Sequence, residues 1–321
     1  MKRVHVLGVI VLAGLAVAAA ADLAAQAVPG QGREGRGGRG GGRGGGGGGV
    51  EAIVKVADNL YAIPGAGGNT GVFVTANGVV LVDTKLANNG EALLAQVKSV
   101  TDKPVTHIIN THTHGDHVGS NAEFPATVEI VTHENTAANM KKMKNFAEQP
   151  TMHGLPDRTY ASTLSLLSGN DAIDLYYFGP SHTSGDTLVV FRNARVMHAG
   201  DMFAQKGQPI IDTGNGGSGV AYGETIGKAA SGIKGVERVI PGHVTGPNMI
   251  QTWQDFVNYG EFNRLMVEHA RRSMKAGKSA EEALKEFTLP EKFKDYTPPA
   301  GGGRGGPAGN FSILYEQLKG N

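Results

Sequence analysis

The sequence predicts a mixed α/β fold, and three observations predict it. Short apolar runs rich in β-branched residues recur between residues 61 and 240, segments with helical spacing lie between them, and chemistry-bearing residues stand where the runs end. Residues 61–63, 72–75 and 79–83 read as strands, with Asn77 and Gly78 marking a tight hairpin turn between the last two. Residues 88–100 carry Leu93, Leu94 and Val97 on one helical face. Residues 105–110 form a buried strand and 128–132 another. The stretch 133–146 reads as a helix with Lys141, Lys142 and Lys144 toward solvent. Further strands are expected at 162–167, 172–178, 187–191 and 196–198, and a last one at 236–240 ends in Pro241, Gly242 and His243. The tail from 248 to 318 reads as helical, interrupted by Pro298, Pro299 and the Gly-rich run 301–309.

With 321 residues, 40% of them hydrophobic, the chain can bury one core or at most two. Lys2 and Arg3, the uncharged apolar stretch 4–21 and Ala25-Gln26-Ala27 read as a secretory signal peptide over 1–27, with a membrane anchor through 4–21 as the competing reading. A Gly/Arg-rich linker follows over 28–49. Its Arg33, Arg36, Arg39 and Arg43 stand against one acid, Glu34, and it has too few apolar side chains to fold. The RGG spacing is one used on nucleic acid. In an exported protein the linker is instead expected to act as a tether with weak contact to anionic envelope material, without nucleic acid or a stable protein partner. The rest divides into a catalytic domain over 50–260 and a helical extension over 261–321. No Cys is present, so no disulfide is expected.

The chemistry concentrates in Thr-His-Thr-His-Gly-Asp-His at 111–117. His112, His114, Asp116 and His117 crowd one turn, an arrangement that is costly unless a cation sits among them. Gly115 eases the backbone of that turn. His182, Asp201 and His243 each end an apolar run of their own, and together the seven donors suit two metals sharing a bridging carboxylate.

This run, followed in order by single His, Asp and His residues after successive strands, resembles the metallo-β-lactamase superfamily over roughly residues 50–260. The resemblance implies a four-layer αββα sandwich with its ligands on loops along one edge. It also implies that His112, His114 and His182 hold a first metal, that Asp116, His117 and His243 hold a second, and that Asp201 bridges them. Without Cys the chain lacks the thiolate that some β-lactamases place where Asp201 stands, and its set is most similar to those of glyoxalase-II-like thioesterases and lactonases.

Two Zn2+ are the expected cofactors, with iron or manganese tolerated by N and O donors. The implied reaction is hydrolysis of an amide, lactam, lactone or ester bond in a small molecule by a hydroxide between the metals, with Asp116 orienting the nucleophile. The alternatives are a thioesterase, or a nucleic-acid-binding or nuclease member tethered by the RGG linker. Asp83 is expected to steady a ligand imidazole and Asp186 to order the His182 loop, while Lys206 and Asn215 are candidates to meet an anionic substrate. His107, His133, His153 and His198 read as structural, and loops 64–70 and 203–219 as the seat of specificity.

Overall fold

The structure, a computed structural model, describes residues 48–148 and 151–320. The expected signal peptide or anchor, and the linker up to residue 47, lie outside the described residues.

The chain first lays down an antiparallel meander of β1 (Val54–Ala57), β2 (Leu60–Ile63), β3 (Thr70–Val74) and β4 (Val79–Val82). Helix α1 (Gly90–Lys98) then crosses over to β5 (Val105–Ile109), which runs parallel to β4. The short α2 (Gly115–Val118) leads to β6 (Glu129–His133), and α3 (Glu134–Met140) precedes β7 (Arg158–Tyr160), both strands again parallel to their neighbours. These seven strands form one sheet in chain order. A second sheet begins with the antiparallel β8 (Thr163–Leu166), β9 (Ile173–Tyr176), β10 (Leu188–Phe191) and β11 (Val196–Gly200). Helix α4 (Gly219–Gly232) crosses to β12 (Arg238–Pro241), parallel to β11, and β13 (Gln251–Thr252) closes the edge. Three helices follow: α5 (Trp253–Lys275), α6 (Ala280–Glu286) and α7 (Asn310–Lys319).

Strand periodicity builds the layers. Successive side chains point to opposite faces, so fully apolar strands serve two cores at once. Val80 and Val82 of β4 enter the core between the sheets, where Ile109, Val131, Val189, Phe191 and Ile240 meet them. Their neighbours Val79 and Leu81 face outward and pack with Ile108 and Ile130 against Leu93 and Val97 of α1. Leu188, Val190, Met197 and Val239 likewise turn outward from the second sheet onto Tyr222 and Ile226 of α4 and Phe256, Tyr259 and Phe262 of α5. The result is the αββα sandwich expected.

Three expectations change. The helix expected over 133–146 ends at Met140, because Met143 takes extended angles and Phe146 turns in to pack with Val118 and Met140. Helix α4, β1, β7 and β13 were not anticipated. The domain boundary at residue 260 falls inside α5, at its tightest contact. A Cβ on Gly260 would meet Ile226 Cγ2 at 2.5 Å, and one on Gly223 would meet Gly260 O at 2.8 Å. Two glycines thus let α4 and α5 approach closely, and the C-terminal helices expected as an extension pack onto the core beside the second sheet.

Candidate metal centre

Every candidate donor lies in a segment that follows a strand. Strand β5 delivers His112 and His114 into the turn before α2, which carries Asp116 and His117. His182 lies between β9 and β10, Asp201 directly follows β11, and His243 follows β12. Gly200, before Asp201, has φ +49 and no room for a Cβ, which would meet Thr111 Oγ1 at 2.6 Å.

All seven donors converge, in two groups. Candidate ligand atoms of His112, His114, His182 and Asp201 lie within 4.8 Å of one another, as do those of Asp116, His117 and His243. In the first group His114 Nδ1 lies 3.1 Å from His112 Nε2 and 2.9 Å from His182 Nε2. In the second, His117 Nε2 lies 3.3 Å from His243 Nε2, and Asp116 Oδ2 is 3.4 Å from the latter. Asp201 stands between the groups. Its Oδ1 is 3.3 Å from His117 Nε2, and its Oδ2 is 3.2 Å from His243 Nε2 and 3.7 Å from His182 Nε2.

The outer hydrogen bonds decide which ring nitrogens carry protons. A carboxylate or carbonyl can only accept, so His114 Nε2 donates to Asp212 Oδ2 (2.6 Å), His117 Nδ1 to Asp83 Oδ2 (2.7 Å) and His182 Nδ1 to Ile210 O (2.8 Å). Thr111 Oγ1 donates to Asp83 Oδ2 and is left to accept from His112 Nδ1 at 3.0 Å. Each neutral ring therefore turns a lone pair inward, toward the other rings. Such facing lone pairs repel unless a cation separates them, and with the His117 ring neutral the buried Asp201 Oδ1 has no hydrogen-bond partner. The donor set fits divalent metal.

The charges of the metal-free groups follow. Burial and the nearby His117 and His182 hold the His112 pKa well below the ordinary imidazole range. Burial also disfavours charge on His117, but Asp201 and Asp83 outweigh it and hold its pKa well above that range. Burial alone would raise the pKa of Asp201, yet His117 and His243 hold its carboxyl well below the usual carboxylate range. A proton thus occupies part of the place a cation would take.

Asp83 accepts from His117 Nδ1 and, at 2.8 Å, from the Thr111 amide. Asp186 ties the His182 loop by accepting from Ser181 Oγ, Thr183 N and Thr183 Oγ1. The Nζ of Lys206 pairs with Asp255 at 2.8 Å, at the start of α5. Asn215 braces the loop, donating to Asp212 Oδ2 at 2.7 Å while its carbonyl accepts from Ser184 N. Loop 64–70 is buried throughout and is a wall of the site rather than an open specificity loop. The amide of Gly68 bonds Asp116 O, and Asn69 bonds Gly242 O, Pro241 O and Val244 O. Histidines 107, 133 and 198 are structural: His107 lies 3.3 Å from Glu129, His133 caps α3, and His198 donates to Asn69 O while burial pushes its pKa down to about 4.

Sequence reasoning missed Asp212 and Lys85. Asp212 follows Ile210 and Ile211 much as Asp83 follows Leu81 and Val82, a parallel that could have marked it. Lys85 is fully buried, and its Nζ donates to Ile63 O and, at 2.7 Å, to Gly68 O.

A model of the metallo-β-lactamase superfamily matches residues 63–247, more than half of the chain. This protein belongs to the metallo-β-lactamase superfamily. The family is one of metal-dependent hydrolases, and this member carries His and Asp groups fit for divalent metal. It is 35% identical over 101 residues to the 2,4-dinitroanisole O-demethylase subunit alpha of Nocardioides sp. (strain JS1661), an alignment spanning 31% of this chain and 29% of that one. It is 27% identical over 140 residues to the uncharacterized protein YobT of Bacillus subtilis (strain 168), spanning 41% of this chain and 60% of YobT. The match thus covers less than two thirds of either relative. Among solved structures, the inverting sec-alkylsulfatase Pisa1 from Pseudomonas sp. superposes with TM-score 0.69 at 13% identity, over 83% of this chain and 50% of that one. The metallo-β-lactamase from Pontibacter korlensis superposes with TM-score 0.54 at 20% identity, over 66% of this chain and 99% of that one. These likenesses show a shared fold.

Proposed function

We propose that this metallo-β-lactamase superfamily member is an exported, dinuclear zinc hydrolase that cleaves an amide, lactam, lactone or ester bond of a small molecule. The observation that carries the reading is Asp201, whose two oxygens reach toward both groups of imidazoles. Export rests on the leader-like residues 1–27. Bound divalent cations would supply Lewis acidity and water of lowered pKa. His112, His114 and His182 would hold one, Asp116, His117 and His243 the other, with Asp201 shared.

The chain's own contribution is placement and proton handling. His112, His117 and His182 are buried, whereas the side chains of Asp116, His114 and His243 are 32%, 21% and 14% exposed, which makes Asp116 the most exposed donor. Asp116 Oδ2 is therefore the carboxylate oxygen available to orient an attacking water and take its proton. Asp83 and Asp212 keep their imidazoles in the tautomer that leaves inner nitrogens free.

A hydrolysis panel on the zinc-loaded protein tests the reading. It contains nitrocefin, a lactone, a thioester, an alkyl sulfate and a nitroaryl methyl ether, the last two suggested by the alkylsulfatase and demethylase likenesses. The expected result is chelator-sensitive turnover of a lactam, lactone or ester with about two zinc ions per chain. One metal or none under zinc-replete conditions would sink the dinuclear model, and turnover confined to the other substrates would reassign the bond.

A further inference from the structure

Loop 206–217 is held from both sides. On its inner side the carbonyl of Ile210 receives His182 Nδ1, the carboxylate of Asp212 receives His114 Nε2, and the Asp212 amide donates to His182 O at 2.9 Å. Two of the three imidazoles of the first group thus take their orientation from this one loop. On its outer side the C-terminal segment grips the same loop. Thr297 N donates to Lys206 O at 3.2 Å, Asn310 Nδ2 to Pro209 O at 2.6 Å and Gln317 Nε2 to Gly217 O at 3.2 Å, while Gln317 Oε1 accepts from Val220 N. The bond from Asn310 lands one residue before the carbonyl that holds His182. Helix α7 itself is fixed by Phe311, Leu314 and Tyr315 in the core around α4 and α5.

The second group has a different scaffold. His117 is held by Asp83, Asp116 by Gly68, and the backbone around His243 by Asn69. None of these bonds involves loop 206–217.

We propose that the C-terminal segment is a strut for the three-histidine metal position alone, with Asn310 and Gln317 as its positioning residues, setting the loop that aims His114 and His182. The proposal rests on the metal-centre reading and is independent of which bond is hydrolysed.

The test uses the full chain in two backgrounds: His117→Ala, which disables the second position, and His112→Ala, which disables the first. Cobalt(II) affinity is measured in each by chelator competition, with the visible cobalt spectrum recorded, before and after Asn310→Asp and Gln317→Glu. Both changes preserve shape and remove the donor. A carboxylate is favourable at Asn310, in the first turn of α7, and unfavourable at Gln317, in its last turn, so Asn310→Asp alone serves if the pair does not fold. The expected result is a loss of about 10-fold in cobalt affinity and a shifted spectrum in the His117→Ala background, with no change in the His112→Ala background or in metal-free melting. Unchanged affinity in the first background, or equal loss in both, would overturn the strut. Failure of the unmodified chain to bind cobalt would instead overturn the metal-centre reading.

Discussion

Asp116 and Asp201 are both donors, yet burial separates their work. Asp201 is 4% exposed and locked among three imidazoles, while Asp116 is 32% exposed at the lip of the second group. Asp116→Asn keeps the side chain's shape and removes its capacity to take a proton. Turnover should then fall by about 100-fold or more while the melting temperature stays close to wild type, checked by steady-state kinetics beside thermal melting at saturating zinc. Near wild-type turnover with both metals bound would remove Asp116 from the chemistry. Lys85 makes a pH prediction. Burial lowers its pKa to about 7, against the pull of Asp83, Glu51 and Asp116. Between that value and its unfolded value the unfolded chain binds the extra proton, so folding stability rises with pH, by on the order of 1 kcal/mol per unit at most. In metal-stripped protein, denaturant unfolding should show this rise above pH 7, and Lys85→Met should flatten it. The seven candidate metal donors were legible because four crowd one turn and the other three each follow an apolar run. Lys85 and Asp212 were not, because they act on backbone carbonyls and a ring nitrogen brought close only by folding.

The loop between β2 and β3 works at the scale of an element. Its glycines carry no side chain to read, and their role is proximity: a Cβ on Gly68 would meet His117 Cε1 at 2.1 Å, and one on Gly67 would meet Asp116 O at 2.5 Å. Asp83 fixes the His117 ring, so the ring cannot turn aside cheaply. Gly68→Ala should therefore weaken metal binding at the second position by about 10-fold or more, read by zinc content after dialysis, and lower turnover in step. Full zinc retention would show that the loop yields instead. The elements that periodicity found were the apolar strands, β8, α1 and the helical tail. Helix α4 escaped because Gly219, Gly223 and Gly227 sit in its pattern, and the close packing that requires Gly223 involves α5, distant in sequence. Strand β7 spans three residues, two of them exposed, too short to show alternation.

Across the whole molecule, metal bound at the candidate centre would add to folding stability. Four buried donors, His112, His117, His182 and Asp201, are each 4% exposed or less. A ligand bound only by the folded state stabilises it by about 4 kcal/mol at a thousandfold excess over its dissociation constant. Stripping zinc with a chelator should accordingly lower the melting temperature by roughly 10 °C, with recovery on adding zinc back, measured by calorimetry. Equal melting with and without zinc would mean that the cluster holds no cation that matters to the fold. The four-layer class became legible only through the family resemblance, since strand and helix alternation alone gives no pairing between sheets.

The two sheets are also two consecutive stretches of chain, β1 to β7 and β8 to β13, joined through Ala161 and Ser162, both exposed. The first stretch supplies His112, His114, Asp116 and His117, and the second supplies His182, Asp201 and His243. Neither metal position is complete on one side of that join. A backbone severed there would give two polypeptides, each holding part of both candidate donor groups, so metal ion would add to the apolar core between the sheets in favouring their reunion.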